Sequence, residues 1–306
     1  MKKKIFIRLA TAILVAIVLP SCSGGSRIEK GKRMIADSND GYYTKMNADW
    51  PYYKTEQDLI DASDAVFVGT VKQISFMVTD LKTGSKELTE DSEPMLQTIY
   101  TIETAQKYKG SAFGTVQIMI VGGIPDFREN EQRQLWSAVK QSERFPVLVE
   151  VEHLVEGESY LFFLSKIGNN DHYSIVNPEE FAMDPNCSFA RNAVKKLNAK
   201  NADAAKIIDN SKFVLKVKIG EEVDAGMSAD RNSIKCIVTA VIKGNNISTD
   251  EEIYITLMKD TVQKDGEYIV ALTETDENPV RRYFTLSSKN SVFSTAEYDV
   301  ISNNIE

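Results

Sequence analysis

From Thr55 the apolar positions run briefly at helical spacing and then begin to alternate. Thr55 followed three residues later by Asp58 has the form of a capping box, and Leu59, Ile60 and Ala62 supply a short helical face. From Ala65 the period falls to two. Val66, Val68 and Thr70 take one side and Phe67, Gly69 and Val71 the other, which predicts a strand. An acidic, glycine-containing stretch, DLKTGSKELTEDSEP, predicts a long loop. Strand patterns return at TIYTIETAQKYKG, TVQIMIVGG, PVLVEVEHLVE, SYLFFLSK and YSIV. Residues 126–144, DFRENEQRQLWSAVKQSER, lack Gly and Pro and are rich in helix formers, so they predict a helical insertion.

The second half repeats this order. LIDASDAVFV at Leu59 returns as IIDNSKFVLK at Ile207. TIYTIETAQKYKG, ending at Gly110, is answered by IKCIVTAVIKG, ending at Gly244, and TVQIMIV by EEIYITLM. GESYLFFL at Gly157 corresponds to GEYIVAL at Gly266, and DHYSIV at Tyr173 to RRYFTL at Tyr283. Between the halves, SFARNAVKKLNAKNADAAKIID predicts one or two helices, with Phe189, Ala193 and Leu197 at spacing four.

These landmarks predict a mainly β chain with flanking helices (α+β), formed by two copies of one five-stranded module. A five-stranded Greek-key barrel whose helix falls between its third and fourth strands is an OB-type barrel. The expected fold is therefore two tandem OB-like barrels, the first at residues 55–185 with its insertion at 126–144 and the second at 203–306. A helical connector is expected at 186–202. The second copy has only KDTVQKD where the first has its helix, room for a turn.

The recurring pattern is a helix, then S-D-x-V-F-V-G-x-V, Tyr-Lys-Gly after a strand, and Gly-Glu-x-Tyr-Leu-x-Phe-Leu. It resembles small exported bacterial β modules, which are similar to the OB-type barrels of tissue metalloproteinase inhibitors and netrin-like domains. The resemblance spans both repeats but carries no functional motif. The animal relatives use disulfides that this chain lacks. Those inhibitors present a free N-terminal cysteine amine to a catalytic zinc, and here the corresponding cysteine is expected to be acylated, so that mechanism does not carry over.

That cysteine follows a processing segment. Lys2, Lys3, Lys4 and Arg8 form a basic start, and the apolar run Leu9–Leu19 is too short to span a bilayer, which takes roughly 20 residues. Leu19-Pro20-Ser21-Cys22 then resembles a bacterial lipobox, with Pro20 off the commonest pattern. The resemblance implies a lipoprotein signal peptide at 1–21, cleavage between Ser21 and Cys22, diacylglycerol on the Cys22 thiol and an acylated amine. Several acyl chains anchor stably where one is marginal. Residues 22–54 would then form a lipidated tether, flexible at SGGS and aromatic at its end (Tyr42, Tyr43, Trp50, Tyr52, Tyr53). The expected location is exported and lipid-anchored to a bacterial membrane.

Charge narrows the partners. The formal charge of −8 becomes −12 once residues 1–21 are removed, because they carry four basic and no acidic groups. A chain this acidic is a poor partner for nucleic acid, whose affinity comes from Lys and Arg displacing counterions, so none is expected. Cys187 in DPNCS and Cys236 in an alternating apolar stretch are the thiols beyond the anchor. An exported compartment permits a disulfide, yet the unlike settings favour Cys236 as a small buried hydrophobe.

Candidate chemistry is sparse. On a strand, His153 and Glu156 point to opposite faces, and His172 follows Asp171 in an expected turn. There is no GxSxG elbow, no phosphate-binding glycine pattern after Gly122-Gly123 and no calcium-loop spacing in 80–95. The pairs Glu179-Glu180, Glu221-Glu222 and Glu251-Glu252 are expected on solvated faces. No catalytic residue, metal ligand or cofactor is assigned. In the insertion, Phe127, Leu135 and Val139 would share one helical face beside Trp136; the segment either plugs the barrel or presents Trp136 and Phe127 to a partner. The loop after the first strand and the turns near 168–171 and 275–280 would form the barrel rim. The expected function is a non-enzymatic envelope protein that binds a protein or cell-envelope ligand. The alternatives are an inhibitor or regulator of an exported peptidase and a hydrolase with unrecognised catalytic groups.

Overall fold

The computed structural model describes residues 42–302 apart from 47, 113, 149–150, 168–171, 224–230, 259–260, 278–281 and 289. Ser21 and Cys22 therefore lie outside the described residues, as do the turn 168–171 and half of 275–280. The first half contains β1 (Tyr43–Met46), α1 (Glu56–Ala62), β2 (Ala65–Asp80), β3 (Pro94–Lys109), β4 (Thr115–Val121), α2 (Glu129–Lys140), β5 (Phe145–Leu148), β6 (Ser159–Lys166), β7 (His172–Ile175) and β8 (Ala182–Met183). There follow α3 (Ser188–Asn210), β9 (Phe213–Val223), β10 (Arg231–Lys243), β11 (Glu252–Met258), β12 (Glu267–Glu277), β13 (Arg282–Leu286), β14 (Val292–Ser294) and α4 (Thr295–Ser302).

The chain is mainly β, and its first sheet closes on itself. β2 pairs antiparallel with both β3 and β6, β3 with β4, and β6 with β7, while β4 and β7 run parallel. The result is a closed five-stranded barrel with α2 between its third and fourth strands. Alternation along β2 divides two cores. Phe67 and Val71 enter the barrel with Tyr100, Ile102, Ile118, Phe162 and Tyr173. Val66 points outward with Leu161 and Phe163, beneath Leu59, Ile60, Ala190, Ala193 and Leu197. Burial on both faces explains why β6 reads YLFFL without alternation.

The capping box forms as expected: Asp58 N–H donates to Thr55 Oγ1 and Thr55 N–H to Asp58 Oδ2, both at 3.1 Å. Ala62, placed on the helical face by its spacing, is exposed. Of the PVLVEVEHLVE pattern only Pro146–Leu148 are strand among the described residues, forming β5 with Phe145, and they do not join the barrel. They pair in parallel with β1, from Tyr43 opposite Phe145 to Met46 opposite Leu148. The end of the expected tether is thus a strap on the barrel, with Tyr43 and Trp50 packed against its cluster.

The second sheet runs β13-β11-β10-β9-β12-β14, with β12 also pairing β13. Its cluster holds Leu215, Ile219, Cys236, Ile253, Ile255, Val270, Leu272 and Phe284. α3 is one helix of 23 residues, with no Gly or Pro along it. Its first half lies on the barrel through Ala190, Ala193 and Leu197, and Ile207 and Ile208 pack with Val214 and Ile269 of the second sheet. The expected junction between residues 202 and 203 therefore falls inside a continuous helix.

At the tip of the β2–β3 hairpin one carboxylate organises the loop. Asp80 accepts from Thr83 N–H and the Thr83 hydroxyl, both at 2.7 Å, and from Glu93 N–H at 2.6 Å and Lys82 N–H at 3.1 Å. These bonds, the Thr83 hydroxyl foremost, hold its carboxyl below the ordinary range. A lowered folded pKa stabilises the fold above the unfolded value, and that contribution disappears as pH falls through the folded one. Asp80→Asn is expected to lower the melting temperature at pH 7, and the gap from wild type to close below about pH 4. Thermal melts across that range provide the measurement; a gap that persists at pH 2 would refute the assignment.

Candidate functional site

The insertion folds differently from its helical-wheel reading. Phe127 precedes α2, and Asp126 and Arg128 adopt positive φ of 58° and 46° at its entry. The face toward the barrel is Gln132, Leu135 and Trp136, while Val139 is turned out. Trp136 is only 9% exposed, so it is not the projecting anchor that was one reading of this segment. Phe127 is half-buried against the same cluster, edge-on to Phe76 at 6.2 Å. α2 is a packed buttress, held by Gln132 and by Arg128. The Arg128 guanidinium donates to Ile74 O at 2.8 Å and to Glu156 at 3.1 Å, and Glu156 also accepts from Ile74 N–H.

The other residues considered for chemistry are dispersed. His153 is buried with Nδ1 3.3 Å from the Tyr100 hydroxyl, away from the Arg128–Glu156 pair. His172, expected in a turn, is half-buried as the first residue of β7, opposite Gln117. Cys187 and Cys236 are both buried thiols. Cys187 caps α3, its sulfur accepting from Ala190 N–H at 3.3 Å. Burial pushes the Cys236 thiol up to about 12, which makes it inert at neutral pH. Glu180, expected on a solvated face, is buried beside Tyr53, whose phenol is raised by burial first and by Glu180 second. Among the described residues no group of three or more His, Cys, Asp or Glu could hold a metal.

A cleft of about 350 Å³ lies where sequence reasoning did not look, between α3 and the outer face of β2 and β3. Val68, Tyr108, Pro185 and Val194 give it apolar walls, and Arg191, Lys195 and Asn198 stand along it. Spacings of four and three place those last three on one helical face. Tyr108 is only 6% exposed, and burial pushes its phenol above the ordinary value. Its backbone is fixed to α3 by Asn201 Nδ2, which donates to Tyr108 O at 3.2 Å. Neighbouring cations of α3 are paired, Lys196 with Glu56 at 3.1 Å and Lys200 with Glu297 at 3.7 Å. Among the described residues no carboxylate comes within 4 Å of Arg191 or Lys195. The only signal in the sequence was the i, i+4, i+7 spacing of three polar residues on an amphipathic helix, which every solvated helix shows.

No protein-family model matches the chain, and no curated protein matches it. Among the described residues no helix is long and apolar enough to cross a membrane.

Proposed function

We propose that this chain is a lipid-anchored, non-enzymatic binding protein of a bacterial cell envelope, built from two copies of an OB-type Greek-key barrel. In this reading residues 1–21 are the signal peptide, Cys22 carries the lipid, 22–54 form the tether, and 55–185 and 203–306 hold the modules. Its partner is a protein or cell-envelope ligand, and a netrin-like ancestry accounts for the barrels.

The observation that carries the duplication is a set of local bonds in which the same side chain makes the same kind of contact in both copies. Ser63 Oγ donates to Leu59 O at 2.7 Å, and Ser211 Oγ to Ile207 O at 2.6 Å. The Lys109 ammonium donates to Ile60 O at 2.7 Å, and the Lys243 ammonium to Asp209 O at 2.6 Å. Each lysine thereby caps the helix entering its own sheet, where a cation also opposes the helix dipole. The Tyr160 hydroxyl accepts from Val155 N–H at 3.3 Å and the Tyr268 hydroxyl from Gln263 N–H at 3.1 Å. The strand pairing supports the same conclusion, since β11–β13 is parallel as β4–β7 is.

These registers also adjust the alignment of the copies. Tyr160 opposes Gly69 and Tyr268 opposes Val217, so Gly157 corresponds to Asp265, both at positive φ, rather than to Gly266. Ile118 opposes Tyr173 and Ile255 opposes Phe284, so the partner of Tyr173 is Phe284 and not Tyr283. A slip of one residue exchanges the faces of a strand, and Tyr173 and Phe284 are the buried pair.

About twenty residues separate Cys22 from the strap at Tyr42. As a flexible coil they span roughly 25 Å, and at full extension about 70 Å. The β1–β5 edge would therefore stand close to the bilayer surface. Expressing the full chain and Cys22→Ser in bacteria fed a labelled fatty acid tests the anchor. Label and membrane retention are expected for the natural chain and for neither in the variant. A variant that remains membrane-bound and labelled would exclude Cys22 as the anchor.

A further inference from the structure

The cleft between α3 and the barrel wall sets two cations and a phenol over an apolar base. Its base is apolar, lined by Val68, Val194 and Pro185. Tyr108 is nineteen-twentieths buried in round terms, at 6% exposure, and its hydroxyl has no hydrogen-bond partner among the described residues. The O–H is not sealed from solvent, so it is available to donate to a group held in the cleft. Arg191 and Lys195 stand over the same space with no counter-charge within 4 Å among the described residues, on a chain of formal charge −8. Across the rest of α3, lysines at 196 and 200 have found carboxylates. The two cations, the donor phenol and the Asn198 amide line one volume at the lower end of the range typical for small-ligand pockets, about 300–1,000 Å³.

We propose that this cleft binds a small amphiphile bearing one oxyanion, a carboxylate or a phosphate, on an apolar stem. The head lies between Arg191 and Lys195 and accepts from the Tyr108 hydroxyl; the stem lies along Val68, Val194 and Pro185. The guanidinium suits a two-oxygen anion because its donors form a planar fork. The inference rests on reading the chain as a binding protein, and it does not depend on the lipid anchor. The site is formed by the outer face of the barrel and not by its rim loops.

The test uses the full mature chain, residues 22–306, with Cys22→Ser so that no detergent competes for the cleft. Octanoate, octyl phosphate, octanol, acetate and inorganic phosphate are titrated by calorimetry at physiological salt. At least one of the two octyl anions is expected to bind about tenfold or more tighter than octanol and than its own short anion. Whichever is tighter assigns the head as carboxylate or phosphate. Arg191→Gln with Lys195→Gln is expected to weaken that binding at least tenfold, and Tyr108→Phe several-fold with an unchanged melting temperature. Binding should also weaken as salt is raised. Octanol binding as tightly as the anions, an unaffected double variant, or no heat from any probe at its solubility limit would each overturn the proposal. Loss of labelling in the Cys22 experiment would leave it untouched.

Discussion

Gly110→Ala is expected to unfold the first barrel under conditions in which Gly84→Ala leaves it folded. Both glycines sit at positive φ, 80° and 70°, so both substitutions incur the left-handed penalty of about 1–2 kcal/mol. The difference is space. A Cβ on Gly84 meets nothing within 4 Å, whereas one on Gly110 would lie 2.2 Å from Asp64 O. That neighbour is backbone at the start of β2, and Asp64 is itself held by its N–H donating to Leu164 O at 2.8 Å. Relief would require β2 to move away from β6 at the seam that closes the barrel. A loss of about 4 kcal/mol or more is expected, in the range reserved for a specific structural failure. Gly244→Ala should fall between the two: φ is +120°, and its Cβ would meet the Phe213 ring at 2.4 Å, a side chain that can give more than a backbone oxygen can. Urea unfolding of the three variants provides the ranking. If Gly110→Ala comes within about 1 kcal/mol of Gly84→Ala, the close approach is not what fixes glycine at the end of the Tyr-Lys-Gly motif.

The order of the barrel strands was legible because each is an alternating or doubly buried run bounded by turn residues, and the same holds for β9 to β13. What the sequence concealed are features created by long-range pairing. β5 has as strong an apolar pattern as any barrel strand, yet it meets β1, about a hundred residues earlier, in parallel. No local signal distinguishes that fate from joining the barrel. The helical face of α2 was misread because Gln132, a polar residue, is fully buried while Val139 is exposed. A hydrophobicity pattern assigns those two positions the other way round. The single helix α3 was open to either reading, since the absence of Gly and Pro permits continuity but does not require it. The cleft was illegible for a different reason: Val68 and Tyr108 come from strands and Arg191 and Lys195 from a helix some eighty residues later. Only the fold brings them together.

Gln132 is the second position where a single change should be severe. Its amide is the hub of the turn that carries the chain from β4 into α2. Oε1 accepts from Ile124 N–H at 2.8 Å, and Nε2 donates to Ile124 O at 2.8 Å and to Phe127 O. The residue is 0% exposed, so water cannot replace it. Gln132→Leu keeps nearly the same volume and adds apolar surface, which by burial alone would favour the variant. Hydrogen bonding decides against it. Three backbone groups lose their partner inside the protein, and each unsatisfied group costs about 1–3 kcal/mol. Even with partial relaxation, a net loss of about 3 kcal/mol is expected. The same turn carries Gly123, where any Cβ would lie 2.0 Å from the Gln132 amide oxygen and 2.8 Å from Phe145. Failure there should therefore loosen β5 and the β1 strap before it opens the barrel. Hydrogen exchange distinguishes the two regions: Gln132→Leu should raise exchange in 124–148 and at the strap while β2, β3 and β6 stay protected. Uniformly faster exchange across the barrel would instead place Gln132 in the barrel's own cooperative unit. Unchanged exchange together with unchanged stability would show that the turn does not need the amide.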